Sequence, residues 1–226
     1  MPDTDDLEAS ALRRVLLAAR DAGFLGPGPV DRHLAHAQGF VDLARRQDPT
    51  ASHPRILDLG SGGGLPGLVI ADQWPAATLV LLEANQRRSQ FLERAVMTCH
   101  FEDRVTVVTE RAEVSGHAPA FRGTFEGVVA RSFGAPAVVA ECAAPFLQAG
   151  GWLIVSEPPG DEVSDSEPNN RTAESTRWPS ERLTQLGLEP VRFVRKEFGY
   201  QILRQKEVCP ARFPRRNGRP SKRPLF

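Results

Sequence analysis

A chain of 226 residues with 41% hydrophobic content can fill the core of one α/β domain and still carry appendages. No stretch approaches the ~18 consecutive apolar residues of a membrane span. The acidic start Met1-Pro-Asp-Thr-Asp-Asp6 lacks a signal-peptide n-region, and the dispersed Cys99, Cys142 and Cys209 give neither zinc spacing nor a disulfide framework. A cytoplasmic protein without metal or membrane is therefore expected. The zero net charge is unevenly divided: residues 192–226 carry 11 Lys and Arg against 2 Asp and Glu, leaving 17 against 26 elsewhere. A basic tail on an acidic body suits a polyanionic partner, or a tail that pairs with its own body.

In chain order, Leu7, Ala11, Leu12, Val15, Leu16 and Ala19 recur at helical spacing and predict a helix over 5–22. Gly23, Gly26, Pro27, Gly28 and Pro29 break it, a second amphipathic helix is predicted over 31–46, and 48–54 reads as a linker. Residues 1–50 thus form a helical cap ahead of a core spanning 51–208. Strands are predicted over 55–59, 78–83, 104–109, 125–130 and 151–156, and helices over 65–73, 86–99 and 136–147. Short strands rich in Val, Leu and Ile, alternating with helices, imply a parallel sheet covered on both faces. Residues 157–180, rich in Pro and acids, read as a mobile loop. A short helix over 181–186 ended by Gly187 follows, then an antiparallel hairpin of 191–198 and 200–206, then a basic tail over 209–226 with no periodicity.

The stretch Arg55-Ile-Leu-Asp-Leu-Gly-Ser-Gly-Gly-Gly-Leu-Pro-Gly67 carries the chemistry. An apolar run ends at Asp58, a glycine turn follows, and a second apolar run ends at Glu83. Glycines let the backbone approach a ligand and adopt positive φ, and an acid closing the second strand can accept both hydroxyls of a ribose. The spacing of Gly60, Gly62 and Gly64 is G-x-G-x-G, not the G-x-G-x-x-G of dinucleotide binders. It resembles the first motif of S-adenosylmethionine-dependent methyltransferases. Gly60–Gly64, Glu83, Arg111–Glu113 and Arg131 all fall at predicted strand ends, where ligands bind in such sheets.

Asp58-Leu-Gly-Ser-Gly-Gly-Gly-Leu-Pro-Gly67 further resembles the core motif of the RsmG (GidB) family of 16S rRNA guanine-N7 methyltransferases. Arg87-Arg-Ser-Gln-Phe-Leu92 is similar to that family's K-R-x-x-F-L, Arg111-Ala-Glu113 to R-x-E, and Ala130-Arg-Ser-Phe133 to S-R-A-F. The tail from Pro210 to Pro224 is similar to P-x-x-Y-P-R-R-x-G-x-P-x-K-x-P. The resemblance implies a class I methyltransferase fold, a doubly wound, mostly parallel seven-stranded sheet. It implies S-adenosylmethionine held by Asp58, Gly60, Ser61, Gly62, Gly64, Leu65, Glu83, Ala112, Glu113 and Arg131, with Arg131 also at the substrate mouth. It implies 16S rRNA or the small ribosomal subunit as partner of a monomer, with Arg87, Arg88, Arg212, Arg215, Arg216, Lys222 and Arg223 on rRNA phosphates. Two departures bear on substrate. Ser156-Glu-Pro-Pro-Gly160 stands where the family has Leu-Lys-Gly, so an acid replaces a lysine near the mouth, and H-x-x-D-S-L is represented only by His33 and His36-Ala-Gln. A different RNA or small-molecule substrate, and a vestigial RNA-binding relative, stay open as alternatives.

Overall fold

A computed structural model describes residues 10–48, 52–158 and 177–226. Seven strands, β1 (Arg55–Leu59), β2 (Thr78–Leu82), β3 (Val105–Val108), β4 (Phe125–Ala130), β5 (Leu147–Glu157), β6 (Leu188–Arg195) and β7 (Gly199–Gln205), form one sheet in the order β3-β2-β1-β4-β5-β7-β6. β1 to β5 run parallel; β7 pairs antiparallel with β5, and β6 with β7. The chain reverses its direction of winding between β1 and β4, which opens a crevice at their carboxyl ends.

Alternation along the strands divides the core. Ile56, Leu79, Leu81, Val129 and Ile154 face one layer, built by α1 (Ala11–Asp21), α2 (Val30–Gln47), α3 (Gly67–Gln73) and α4 (Gln86–Thr98). Leu57, Leu59, Val80, Leu82 and Leu153 face the other, with α5 (Ala112–Ser115), α6 (Pro136–Ala143), α7 (Ser180–Leu183) and the tail that ends in α8 (Arg219–Lys222). The two amino-terminal helices therefore share one apolar cluster with α3 and α4.

Several element limits differ from the sequence reading. The predicted start of the first helix lies in residues 5–9, outside the described residues; the described helix begins after Ser10, whose hydroxyl accepts the Arg13 amide at 3.2 Å. α6 stops at Ala143 and passes through a 3-10 turn at Ala144–Phe146, because Pro145 has no amide to continue the ladder. β5 consequently starts at Leu147, ahead of the predicted 151. Gly187 takes a left-handed φ of 76° and ends the preceding turn, so β6 starts at Leu188. Pro190 is tolerated there because β6 is the edge strand, and the register shifts beside it. The expected loop over 157–180 falls mainly on 159–176, outside the described residues; Glu157 is the last residue of β5, and Ser180 opens α7.

Gly127, in the middle of the sheet, faces Trp152 across β4 and β5, and a Cβ there would lie 2.2 Å from the indole ring. Gly127→Ala is expected to cost about 1–3 kcal/mol through overpacking, read as a lowered midpoint in chemical denaturation; an unchanged midpoint would show that the indole can move aside.

Candidate active site

The glycine turn is fixed by carboxylates from the two strands beside it. Asp58 is fully buried at the end of β1, and its Oδ2 accepts the Gly67 amide at 2.9 Å, which ties the first residue of α3 to the strand. A Cβ on Gly67 would lie 2.6 Å from that oxygen and 2.4 Å from Leu81, so only glycine fits. Ser61 Oγ donates to the Asp58 main-chain oxygen at 3.0 Å. Gly60, Gly62 and Gly64 have φ of +74°, +56° and +97°, which L side chains rarely adopt. Glu83, just past β2, receives the Gly62 amide on Oε2 at 2.9 Å and the Asn85 amide on Oε1 at 2.8 Å. Each carboxylate oxygen has two acceptor positions, so Glu83 keeps capacity for further donors.

Two cavities meet at Gly60. One, of about 160 Å³, is lined by Gly60, Glu83, Arg88, Ala112 and Phe133 among others. The other, of about 200 Å³, lies between the turn and the α1–α2 connection, lined by Phe24, Leu25, Gly62, Leu65 and Arg131 among others. Leu25 packs so closely on the turn that a Cβ on Gly63 would lie 2.7 Å from its side chain. Burial pushes the Asp58 carboxyl up to about 7, opposed in part by the Gly67 amide, and its Oδ1 is buried without a hydrogen-bond partner.

A third and larger cavity, of about 480 Å³, opens past the ends of β4 and β5 and is bordered by Arg131, His33, His36 and Glu157. Arg131 Nη2 donates to His33 Nδ1 at 2.6 Å, and the opposite nitrogen of that ring lies 3.0 Å from the Gly26 carbonyl. With Arg131 donating, His33 is neutral and carries its proton on Nε2. Burial is the main cause that lowers the His33 pKa and takes that of His36 down to about 4, with the Arg131 charge adding to both. Glu157 is buried, and both oxygens are engaged: Arg177 Nε donates to one at 2.7 Å and Trp178 Nε1 to the other at 2.7 Å. The acid that replaces the family's lysine therefore enters the mouth as an ion pair, and its second oxygen holds the buried Trp178 indole.

The tail docks on the body instead of extending from it. Arg122 donates to the carbonyls of Gly116, Phe213, Cys209 and Pro210, at 2.8 to 3.0 Å. Buried Glu141 on α6 accepts the Arg215 amide at 2.8 Å and its guanidinium through Nε and Nη2 at 2.8 and 2.6 Å. Arg215, grouped with the RNA-contacting arginines by the resemblance, thus spends its charge inside the protein. Glu113, expected at the adenine, accepts the Gly218 amide at 2.9 Å and Arg111 Nη2 at 3.1 Å on one oxygen, while its neighbour Ala112 lines the smaller cavity. Arg212, Arg216, Lys222 and Arg223 remain exposed on the docked tail. Arg87 and Arg88 hold their guanidinium carbons 5.4 and 5.9 Å from the Phe24 ring centre, so both pack on the amino-terminal layer, and Arg88 also lines both smaller cavities.

The structure thus gathers Gly60, Ser61, Gly62, Leu65, Glu83, Ala112 and Arg131 around the paired smaller cavities. Asp58, Gly64 and Glu113 line neither; they hold the surrounding backbone. Phe24 and Leu25 were missed by the sequence reading, because they lie in a turn without periodicity and the Gly-Pro cluster over 23–29 marked only a break; Ser132 appeared there only as part of the Ala130–Phe133 motif. No cluster of metal-ligating residues occurs among the described residues.

Residues 30–174 match the family described as GidB: rRNA small subunit methyltransferase G. The ribosomal RNA small subunit methyltransferase G of Prochlorococcus marinus strain NATL1A is 33% identical over 181 residues, 79% of this chain and 70% of that one. The protein of the same name from strain MIT 9313 is 36% identical over 187 residues, 81% and 71% of the two chains. Among solved structures, a putative O-methyltransferase from Klebsiella pneumoniae superposes with a TM-score of 0.58 at 18% identity, covering 88% of this chain and 92% of its own. A putative sarcosine dimethylglycine methyltransferase from Galdieria sulphuraria gives 0.56 at 10%, covering 76% and 86%. These likenesses establish the seven-stranded methyltransferase fold.

Two outcomes follow from the buried acids. A carboxyl whose folded pKa is raised favours the protonated folded state, so its contribution is fully present below the unfolded value and is lost as pH rises toward about 7. The thermal midpoint of the wild type, relative to Asp58→Asn, is expected to fall between pH 5 and pH 8; a constant difference would refute the assigned burial effect. Arg215→Ala strips the cation from fully buried Glu141 and is expected to cost about 3–5 kcal/mol and to expose the tail to limited proteolysis, read by mass of the clipped product.

Proposed function

The chain belongs to the GidB family of small-subunit rRNA methyltransferases, and on that premise we propose that it methylates N7 of a guanine in 16S rRNA, as a monomer acting on the small ribosomal subunit in the cytoplasm. The enzyme is a methyltransferase dependent on S-adenosylmethionine. The observation that carries the finer reading is the meeting of the two Gly60 cavities with the Arg131 cavity at the β1/β4 crevice.

The residues fit the cofactor. Glu83 offers its remaining acceptor positions to ribose hydroxyls as charge-assisted bonds. Left-handed Gly60 and Gly62 keep side chains out of the turn, Leu65 gives an apolar wall, and Ala112 borders the side suited to the adenine. When bound, S-adenosylmethionine supplies a methyl group on a positively charged sulfur, which an aligned nucleophile displaces.

Guanine N7 already carries an available lone pair, so transfer requires alignment and exclusion of water more than a general base. The mouth suits that task. His33 is held neutral with its nitrogens committed to Arg131 and Gly26, and this bond orients the guanidinium. The exposed Arg212, Arg216, Lys222 and Arg223 lie on a fixed surface and provide a salt-dependent grip on phosphate. The alternative of another RNA or a small molecule drew on the acid at Glu157; with Arg177 and Trp178 occupying that carboxylate, it gives no reason to prefer a cationic substrate.

Incubation with methyl-labelled S-adenosylmethionine and undermethylated small subunits is expected to label a single guanine at N7, located by mass mapping of rRNA digests. Label at another atom would refute the N7 reading, and no transfer to subunits or naked rRNA would refute the rRNA reading altogether. Gly60→Asp drives a side chain into Phe133, and Gly62→Asp adds a charge beside Glu83 at positive φ. Both are expected to abolish cofactor binding in calorimetry; wild-type affinity in either would contradict the cofactor placement.

A further inference from the structure

The loop after β4 is where the three cavities come together. Ser132 borders all three, and Phe133 borders both the 160 Å³ cavity at Glu83 and the 480 Å³ mouth. The Phe133 ring lies directly on the turn, since a Cβ on Gly60 would sit 2.5 Å from its Cδ2. Ser132 carries this ring with a φ of 55°, a left-handed conformation that non-glycine residues adopt at a cost and that concentrates where function over-determines the backbone. The Arg131–His33 hydrogen bond pins the start of the loop. An aromatic ring is thus held, at some expense, on the partition between cofactor space and substrate space.

The mouth itself has the character of a nucleotide site. Arg32, Arg131 and Arg195 line it beside the Arg177–Glu157 ion pair and Glu197, so guanidinium groups suited to phosphate outnumber the acids. A base drawn into it needs a flat apolar face, because unstacking is the main loss when a nucleotide leaves its helix. Phe198, the other phenylalanine of this cavity, is already occupied: His36 stacks on it at 4.4 Å with an interplanar angle of 3°, and Arg32 stands 6.0 Å from its centre. Phe133 is half-buried and adjoins Gly60, where a base must be brought close to the cofactor.

We propose that Phe133 is the platform on which the target nucleobase stacks, a positioning residue that aligns the base across the partition between the mouth and the cofactor pocket. This rests on the methyltransferase reading above. Base–aromatic stacking is sequence-tolerant and is lost when the ring is replaced by an aliphatic group of similar bulk. Phe133→Leu keeps apolar cover over Gly60 and is expected to lower kcat/KM for undermethylated small subunits by about 10-fold or more. Its S-adenosylmethionine affinity is expected to change far less than kcat/KM, and Phe133→Tyr to restore activity. Wild-type kcat/KM in Phe133→Leu would overturn the proposal, as would a parallel loss of cofactor affinity, which would assign the ring to the cofactor pocket. Failure of the unaltered enzyme to label subunits would instead count against the rRNA reading, which keeps the two failures distinct.

Discussion

The hydrogen bond from the Gly67 amide to the buried Asp58 carboxylate is the constraint on which the site rests. It joins the end of β1 to the start of α3 without a solvent-exposed link, and so fixes the intervening glycines as one rigid turn. The bond also explains the Leu65-Pro66-Gly67 ending: any side chain at 67 would collide with both the acid and Leu81. A carboxylate taken fully out of water is costly, and among the described residues the Gly67 amide is bonded to Asp58 Oδ2 while Oδ1 is unmatched. The turn is therefore shaped by a group under electrostatic stress, set where a cationic ligand would relieve it.

The same device recurs around the protein. Glu83 gathers the Gly62 and Asn85 amides, Glu113 the Gly218 amide and Arg111, Glu141 the amide and fork of Arg215, and Glu157 the Arg177 guanidinium and the Trp178 indole. Each acid is buried, and Glu113 and Glu141 tie the tail to the body where the sheet ladder does not reach. The attraction between acidic body and basic tail is thus concentrated in defined contacts, where hydrogen-bond geometry fixes one arrangement. Buried pairs of this kind need not add net stability compared with apolar packing; what they supply here is register between distant segments.

The sheet and the turn were legible because their signals are local. Short apolar runs alternating with helical segments placed all seven strands within a few residues, and the D-x-G-x-G-x-G spacing placed the crevice. What escaped was any role set by a distant partner. Nothing near Arg215 in sequence distinguishes it from Arg216, yet one is clamped on Glu141 and the other is exposed. The acid at Glu157 read as a reversed charge because Arg177, its neutralising partner, lies across a segment with no pattern of its own. The tail lacked periodicity because it is held by carbonyls given to Arg122, and main-chain acceptors leave no mark on residue choice.

That mode of docking makes the site depend on a segment outside the sheet. The amide and guanidinium that satisfy Glu141, the three tail carbonyls that receive Arg122, and the Gly218 amide on Glu113 all belong to residues 209–226. Without those residues, Arg122, Glu141 and Glu113 would each lose hydrogen-bond partners. A variant lacking residues 209–226 would contain the whole glycine turn and every strand, yet lack the contact that steadies Glu113 beside the cofactor pocket. Residues 209–226 are in this sense part of the site's scaffold, although none of them belongs to the sheet.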